Sequence, residues 1–437
     1  MASDQPTHPL VQPVVRPVVH RDVVCPFCGL GCDDLTVEEE PPATLAVRST
    51  DCPVARERYA RIPAPEPPRV AGVPVPLKEA VEAAAAVLGA AQAPLVAGLG
   101  TDVDGARAAL ALAGRLGAVV DHALSDGLYR NLAVLQRTGW IATTLAELRN
   151  RCDFLLVAGP DPAALHPRLF ERWVTPTATF QTLPSREVVF LCGEPLDGTR
   201  AILSGLPVTV LAGDSARVGD AAAALAAALA DPSRASGAAG IAAGDIAALA
   251  ERVRKARYAV VAWAASAFDG AHADLTVERL VHLVRDANRH TRCAGLPLAG
   301  HDNVVGVNQV CTWQLGVPLR TSLAGGAPLH DPHRFAWARY AKVADAVVWV
   351  SAFQPEVPDF PAGQTVIALA SPGTAFADEP AVFIPVGTPG IDHPAHVFRS
   401  DTVVALRARR LVDRGLPDTA TVLKAIAAAL PQEAPTC

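Results

Sequence analysis

Between residues 94 and 386, apolar runs of four to seven residues recur, several of them ending at a glycine and several joined by amphipathic Ala/Leu/Arg segments. They include Pro94–Gly100, Asp153–Gly159, Val188–Gly193, Pro207–Leu211, Tyr258–Trp263, Ala346–Val350, Thr365–Leu369 and Val382–Val386. A strand that is apolar on both faces needs cover on both, which parallel sheets flanked by helices provide. The pattern predicts an α/β fold with at least two doubly wound parallel sheets. Helices are expected near Val103–Leu116, 144–151, 218–230, 242–256 and Leu275–Arg289. In such sheets ligands sit at the carboxyl ends of strands. Gly98, Gly159, Gly193 and the Ser351–Gln354 turn are therefore the positions to watch.

Punctuation along the chain divides it further. Residues 1–20, with Pro6, Pro9, Pro13 and Pro17, read as a flexible arm. Residues 21–62 read as a small cysteine-rich unit with short strands at 35–38 and 45–47, closed by a stiff proline linker from Ile62 to Pro68. Two α/β domains are expected beyond it, 69–235 and 240–437, divided at Ser233–Gly237.

Four of the nine cysteines fall in the first 52 residues, as Cys25, Cys28, Cys32 and Cys52, spaced C-x2-C-x3-C-x19-C. Thiolates separated by turn-forming residues can converge on a soft metal centre. The spacing favours an iron–sulfur cluster. An all-thiolate zinc site and a metal-free remnant are the alternatives, although structural zinc usually takes paired C-x2-4-C ligands. No charged-then-apolar leader precedes them, so reduced thiols in the cytoplasm are expected rather than disulfides. Cys152, Cys192, Cys293 and Cys311 read as inert core thiols.

The net charge is −6, no Lys/Arg cluster interleaves with aromatics, and no apolar run approaches the roughly 20 residues of a membrane helix. Nucleic acid and membrane are not expected partners. Gly98-Leu99-Gly100-Thr101-Asp102 reads as a tight strand-to-helix turn rather than a dinucleotide fingerprint, having no full G-x-G-x-x-G. Asp161 with His166 and Arg168 could line a polar ligand, but a proline-rigid loop with a capped helix explains them as well. Gly300–Gln309 is expected to be a solvated polar loop on the same grounds.

Four blocks together give a specific resemblance. They are Cys25-Pro26-Phe27-Cys28-Gly29 through Cys32-Asp33-Asp34; Leu145–Arg151 followed by Ala164-Leu165-His166-Pro167-Arg168; Asn303–Val310 with Thr312-Trp313-Gln314; and Gly390-Ile391-Asp392. In these the chain resembles the B-type subunit of formylmethanofuran dehydrogenase, a molybdopterin/tungstopterin oxidoreductase family, over essentially its full length. The resemblance implies a fold like formate dehydrogenase without its last domain. It also implies a [4Fe–4S] cluster on Cys25, Cys28, Cys32 and Cys52, and a bis-pterin guanine dinucleotide metal cofactor in the crevice.

Two departures bear on that cofactor. The family carries its metal-ligating cysteine or selenocysteine in a loop after a strand ending Val-Asp, whereas this chain reads Val119-Val120-Asp121-His122-Ala123-Leu124-Ser125-Asp126, with no thiol. Where the family continues Gly-Ile with an acidic residue and a further glycine before Arg, this chain has Asp392-His393-Pro394-Ala395-His396 leading to Arg399. Loss of the pterin site is expected. Both features resemble the methylotroph branch, in which the homologous subunit belongs to a formyltransferase/hydrolase complex of tetrahydromethanopterin-linked formaldehyde oxidation. There it would act as a scaffold for amidohydrolase-like, formyltransferase and glutamate-synthase-like subunits. The alternative is a catalytic molybdenum- or tungsten-pterin subunit that makes formylmethanofuran from carbon dioxide and methanofuran.

Overall fold

The structure is a computed structural model describing residues 18–40, 44–176, 186–270, 272–361 and 363–431. Two sheets organise it. One has five strands, in the order Val208–Leu211, Glu187–Leu191, Phe154–Ala158, Tyr258–Ala264 and Arg292–Leu298, and every pairing is parallel. The other has nine strands, with Val119–Val120, Pro94–Gly100, Ala346–Ser351, Thr365–Ala370 and Val382–Pro385 parallel at its centre. Antiparallel pairs flank that centre: Thr321–Ser322 with Leu329–His330 on one edge, Arg69–Val70 with Val73–Pro74 on the other. The α/β architecture with parallel sheets is as expected.

Most of the apolar runs are buried because each sheet is covered on both faces, while the edge strand Val208–Leu211 is exposed to half-buried. On the five-stranded sheet Leu155, Val157, Phe190, Val260 and Ala262 face one core. Phe154, Leu156, Leu191 and Val261 face another with the helices Val218–Ala230, Ala243–Lys255 and Ala273–Ala287. Helix limits follow local chemistry. The helix Val103–Leu116 opens where the Asp102 carboxylate accepts a hydrogen bond from the Gly105 amide at 3.0 Å and stops at Gly117, which adopts φ 63°.

Three expectations need correction. The division at 235–240 does not separate the sheets, because the five-stranded sheet runs from residue 154 to 298 across it. The chain leaves the nine-stranded sheet after Val119–Val120 and returns to it at Thr321–Ser322, so sheet membership is non-local. The arm expected over 1–20 ends earlier, since Val18–Val23 is a strand paired with Leu35–Glu40, while residues 1–17 lie outside the described ones. Gly300–Gln309 is not a solvated loop. It leads into a helix, Val304–Leu315, whose Val304, Val305, Val307 and Asn308 are buried. Two of its asparagines are satisfied internally: Asn303 accepts from the Phe398 amide at 2.9 Å, and Asn308 accepts from the Leu319 amide at 3.2 Å.

The cysteine-rich unit holds the strands Val18–Val23, Leu35–Glu40 and Thr44–Val47 and the helix Pro53–Ala60. It has no separate core. Leu35, Val37, Leu45 and Tyr59 share a cluster with Leu155, Val157 and Val260 of the five-stranded sheet. The unit therefore sits as a lid on one face of that sheet.

Candidate functional site

The cysteine loop is built by glycine. Gly29 and Gly31 adopt φ of 74° and 61°, which let the chain turn back within eight residues, and the Cys25 amide closes the loop on the Cys32 carbonyl at 2.7 Å. Cys52 arrives at the start of the helix Pro53–Ala60. All four thiols are buried, at 4–8 % exposure. Burial pushes Cys28 up to about 12 and Cys32 up to about 11, and raises Cys25 and Cys52; proximity of the other thiols raises Cys25 and Cys28 further.

Backbone amides of Phe27, of Leu30, and of Val54 and Ala55 pull the Cys25, Cys28 and Cys52 thiols down, against the effect of burial. Amide donors aimed at sulfur stabilise thiolates and tune iron–sulfur clusters. Among the described residues no three His, Cys, Asp or Glu side chains converge at single-ion distances. Four buried thiols on one tight loop and the next helix start are the donor type that a cluster takes.

Downstream of Cys32, the Arg168 guanidinium donates to both oxygens of Asp34 at 2.7 and 2.8 Å and also to Glu171, and Arg172 donates to Asp33 at 2.7 Å. Burial pushes the Asp34 carboxyl up, but these guanidiniums hold it below its ordinary value. Asp161 caps the turn Pro162–Ala164, accepting from Ala163 at 2.8 Å and from Leu196 at 2.9 Å. Arg168 and Asp161 thus have structural partners. His166 is fully buried, and its ring stacks on His301 at 6.3 Å between centroids.

The loop that would carry the pterin metal's ligand is closed on itself. The buried Asp121 carboxylate accepts from the Ser125 hydroxyl at 2.9 Å, the His122 amide at 2.8 Å and the Trp337 amide at 2.8 Å. Arg320 is 6 % exposed. Its guanidinium stands 3.6 Å from Asp121, donates to Ser125 at 2.8 and 3.1 Å and to Asp126, and lies 4.3 Å over the Tyr129 ring. His122 accepts from the Leu124 amide at 3.0 Å on Nδ1, so Nε2 donates to the Asp302 carbonyl at 3.1 Å.

Burial pushes Asp121 up to about 6, with Arg320 and the hydrogen-bond donors pulling against it, and burial holds His122 down at about 4. Cys311 feels the Asp121 charge, yet it is fully buried with Val307 and Val310, and burial pushes it up to about 12. Cys152, Cys192 and Cys293 are likewise buried. A hard, internally paired carboxylate–guanidinium set does not fit a sulfur-ligated molybdenum or tungsten ion.

At Gly390-Ile391-Asp392, the Asp392 carboxylate is held by Arg414 at 2.5 and 2.6 Å and by the Thr388 amide at 2.7 Å. Gly390 has φ 77°, and a Cβ there would stand 2.7 Å from that of Ala408 and 3.4 Å from Pro26. This segment packs on the cysteine loop. The Gly98 turn is indeed a strand-to-helix turn whose helix start is already capped by Asp102.

Gln354, at the end of the strand Ala346–Ser351, accepts from Arg58 at 2.7 Å and donates to Asp302. Burial pushes the Asp302 carboxyl up to about 7, with Arg58 and Gln354 opposing. An unfolded aspartate titrates near 3.9, so the fold resists ionising Asp302 and loses stability as pH rises from about 4 to 7. Asp302→Asn removes that loss. Its stability relative to the parent is expected to rise by about 2–3 kcal/mol between pH 5 and pH 8, measured by urea unfolding at each pH.

The fold and site together define an α/β subunit with a thiol shell lidding a parallel sheet and a sealed loop at a strand end. No family model matches the sequence. The B-type subunit of the tungsten-containing formylmethanofuran dehydrogenase 2 of Methanocaldococcus jannaschii is 27% identical over 326 residues, covering 72% of this chain and 74% of that one. The B-type subunit of the formyltransferase/hydrolase complex Fhc of Methylorubrum extorquens is 31% identical over 321 residues, covering 71% and 82%. The crystal structure of that organism's formyltransferase/hydrolase complex with methylofuran contains a chain that superposes with a TM-score of 0.71 at 28% identity, covering 83% of this chain and 98% of that one. The chain belongs to the family formed by the B-type subunits of formylmethanofuran dehydrogenases and formyltransferase/hydrolase complexes.

Proposed function

We propose that this chain is the B-type subunit of a formyltransferase/hydrolase complex in tetrahydromethanopterin-linked formaldehyde oxidation, acting in the cytoplasm as a scaffold rather than as the site of redox chemistry. The observation that carries this reading is the Asp121–Ser125–Arg320 network, which fills the loop where a pterin metal would need a soft ligand. The partners would be the amidohydrolase-like, formyltransferase and glutamate-synthase-like subunits, and the two-sheet arrangement is read as the formate dehydrogenase-like fold without its last domain.

Cys25, Cys28, Cys32 and Cys52 would hold a [4Fe–4S] cluster, which supplies one-electron transfer when bound. With no redox partner in the sealed loop, the role left to the thiol shell is to tie the lid to the sheet. The alternative role, reduction of carbon dioxide and methanofuran at a molybdenum or tungsten pterin, has no thiolate donor in the 121–129 loop.

Among the described residues no helix is long and apolar enough to cross a membrane. The chain co-expressed with its partner subunits is expected to co-purify as a stable complex with formyl-transfer and formate-releasing activity. Reduction of a viologen dye by the chain with formylmethanofuran as the electron donor would contradict the scaffold reading.

A further inference from the structure

The wall between the cysteine lid and the five-stranded sheet carries an open groove of about 740 Å³. One side is the turn at Cys52, Pro53 and Val54, the other is Ala163 and Ala164 with the helix Asp197–Ile202. Leu196 and Ile202 line it while 49% and 37% exposed. A scattered exposed leucine is ordinary, but two large aliphatic side chains lining one concave surface leave apolar area for a partner to cover.

The polar lining has a sign. Of its two carboxylates Glu171 is paired with Arg168, which leaves Asp51, with a side chain 91% exposed, as the one an arriving cation reaches. Arg168 is already engaged by Asp34 and Glu171, so it offers little positive charge to a visitor. Arg56 pairs with Asp51 only from the exposed surface, where an arriving cation can compete.

We infer that this groove is the docking site for a segment of a partner subunit that presents one or two aliphatic side chains beside a lysine or arginine. The inference rests on the scaffold reading above. It deepens that reading by assigning the face used and the chemistry of the partner. Because the groove spans the lid and the sheet, an inserted segment would clamp one to the other.

Leu196→Asp with Ile202→Asp tests it in the chain co-expressed with its partner subunits. Both side chains are exposed, so the isolated double variant should melt with the parent. Its Kd for the partner subunits should rise at least about tenfold, and the hydrogen-exchange protection that complex formation gives residues 196–202 should disappear. Asp51→Lys should weaken binding several-fold and flatten its salt dependence. Unchanged affinity of the double variant would overturn the groove while leaving the scaffold reading intact. So would light scattering showing a dimer of the chain alone that the double variant dissociates, since the occupant would then be a second copy. If the parent chain binds none of the partner subunits, the groove and the scaffold reading both fall.

Discussion

Arg320→Met is expected to cost the fold about 3–5 kcal/mol, because it strands a fully buried carboxylate without its counter-ion. Asp121 has no exposed surface, and among the described residues Arg320 is the cation within ion-pair distance of it. Ser125 would lose the two hydrogen bonds it accepts from Arg320, and the Tyr129 ring its guanidinium. With Arg320 gone, the Asp121 carboxyl would climb further above its present value near 6. Chemical denaturation at pH 7.5 checks the magnitude. Asp121→Asn combined with Arg320→Met should recover much of the loss, since burying neutral groups carries no uncompensated charge. A loss below about 1 kcal/mol for the single variant would show that the loop is held by something other than this pair.

Cys28→Ser should have the second large effect. Cys28 is buried among its fellow thiols, so a bound cluster would lose one of its four anchors. Iron in the anaerobically purified protein is expected to fall from about four atoms per chain to a small fraction of that, with loss of the broad visible absorbance. The lid shares its core with the sheet, so the melting temperature should fall with the iron. Cys293→Ser, at a buried thiol remote in sequence from the shell, should leave the iron content unchanged. An iron content near zero in the parent would mean that the thiol shell is a metal-free remnant.

How far the sequence was legible depended on whether the determining contacts were local. The strand Pro94–Gly100 and helix Val103–Leu116 were readable because the apolar run, the Asp102 cap and the Gly117 stop lie within 24 residues. The thiol spacing was equally local. The helix Val304–Leu315 was misread because Asn303, Asn308 and Gln309 look like solvent-facing groups, yet their partners are Phe398, Leu319 and Thr402. The division at 235–240 failed for a related reason. The Ser233–Gly237 stretch marks a loop, but only the strand pairings reveal that the chain makes an excursion and rejoins its first sheet.

The candidate site divides the same way. Absence of a thiol between Asp121 and Tyr129 was visible in the chain, but what takes its place was not. Arg320 stands 195 residues from Ser125 and follows no motif, so no local signal marks it as the residue that closes the loop. Arg58 and Gln354 are linked across 296 residues and bind the lid to the end of the nine-stranded sheet. Arg168 was noticed as a polar loop residue, while its pairing with Asp34 of the cysteine unit needed the fold.

A thiol shell that persists beside a sealed pterin metal site predicts a distinctive metal content. Inductively coupled plasma mass spectrometry of the complex, purified without oxygen from cells supplied with molybdate and tungstate, addresses it most directly. The expected result is about four iron atoms per chain with molybdenum and tungsten far below stoichiometry. One molybdenum or tungsten atom per chain would contradict it.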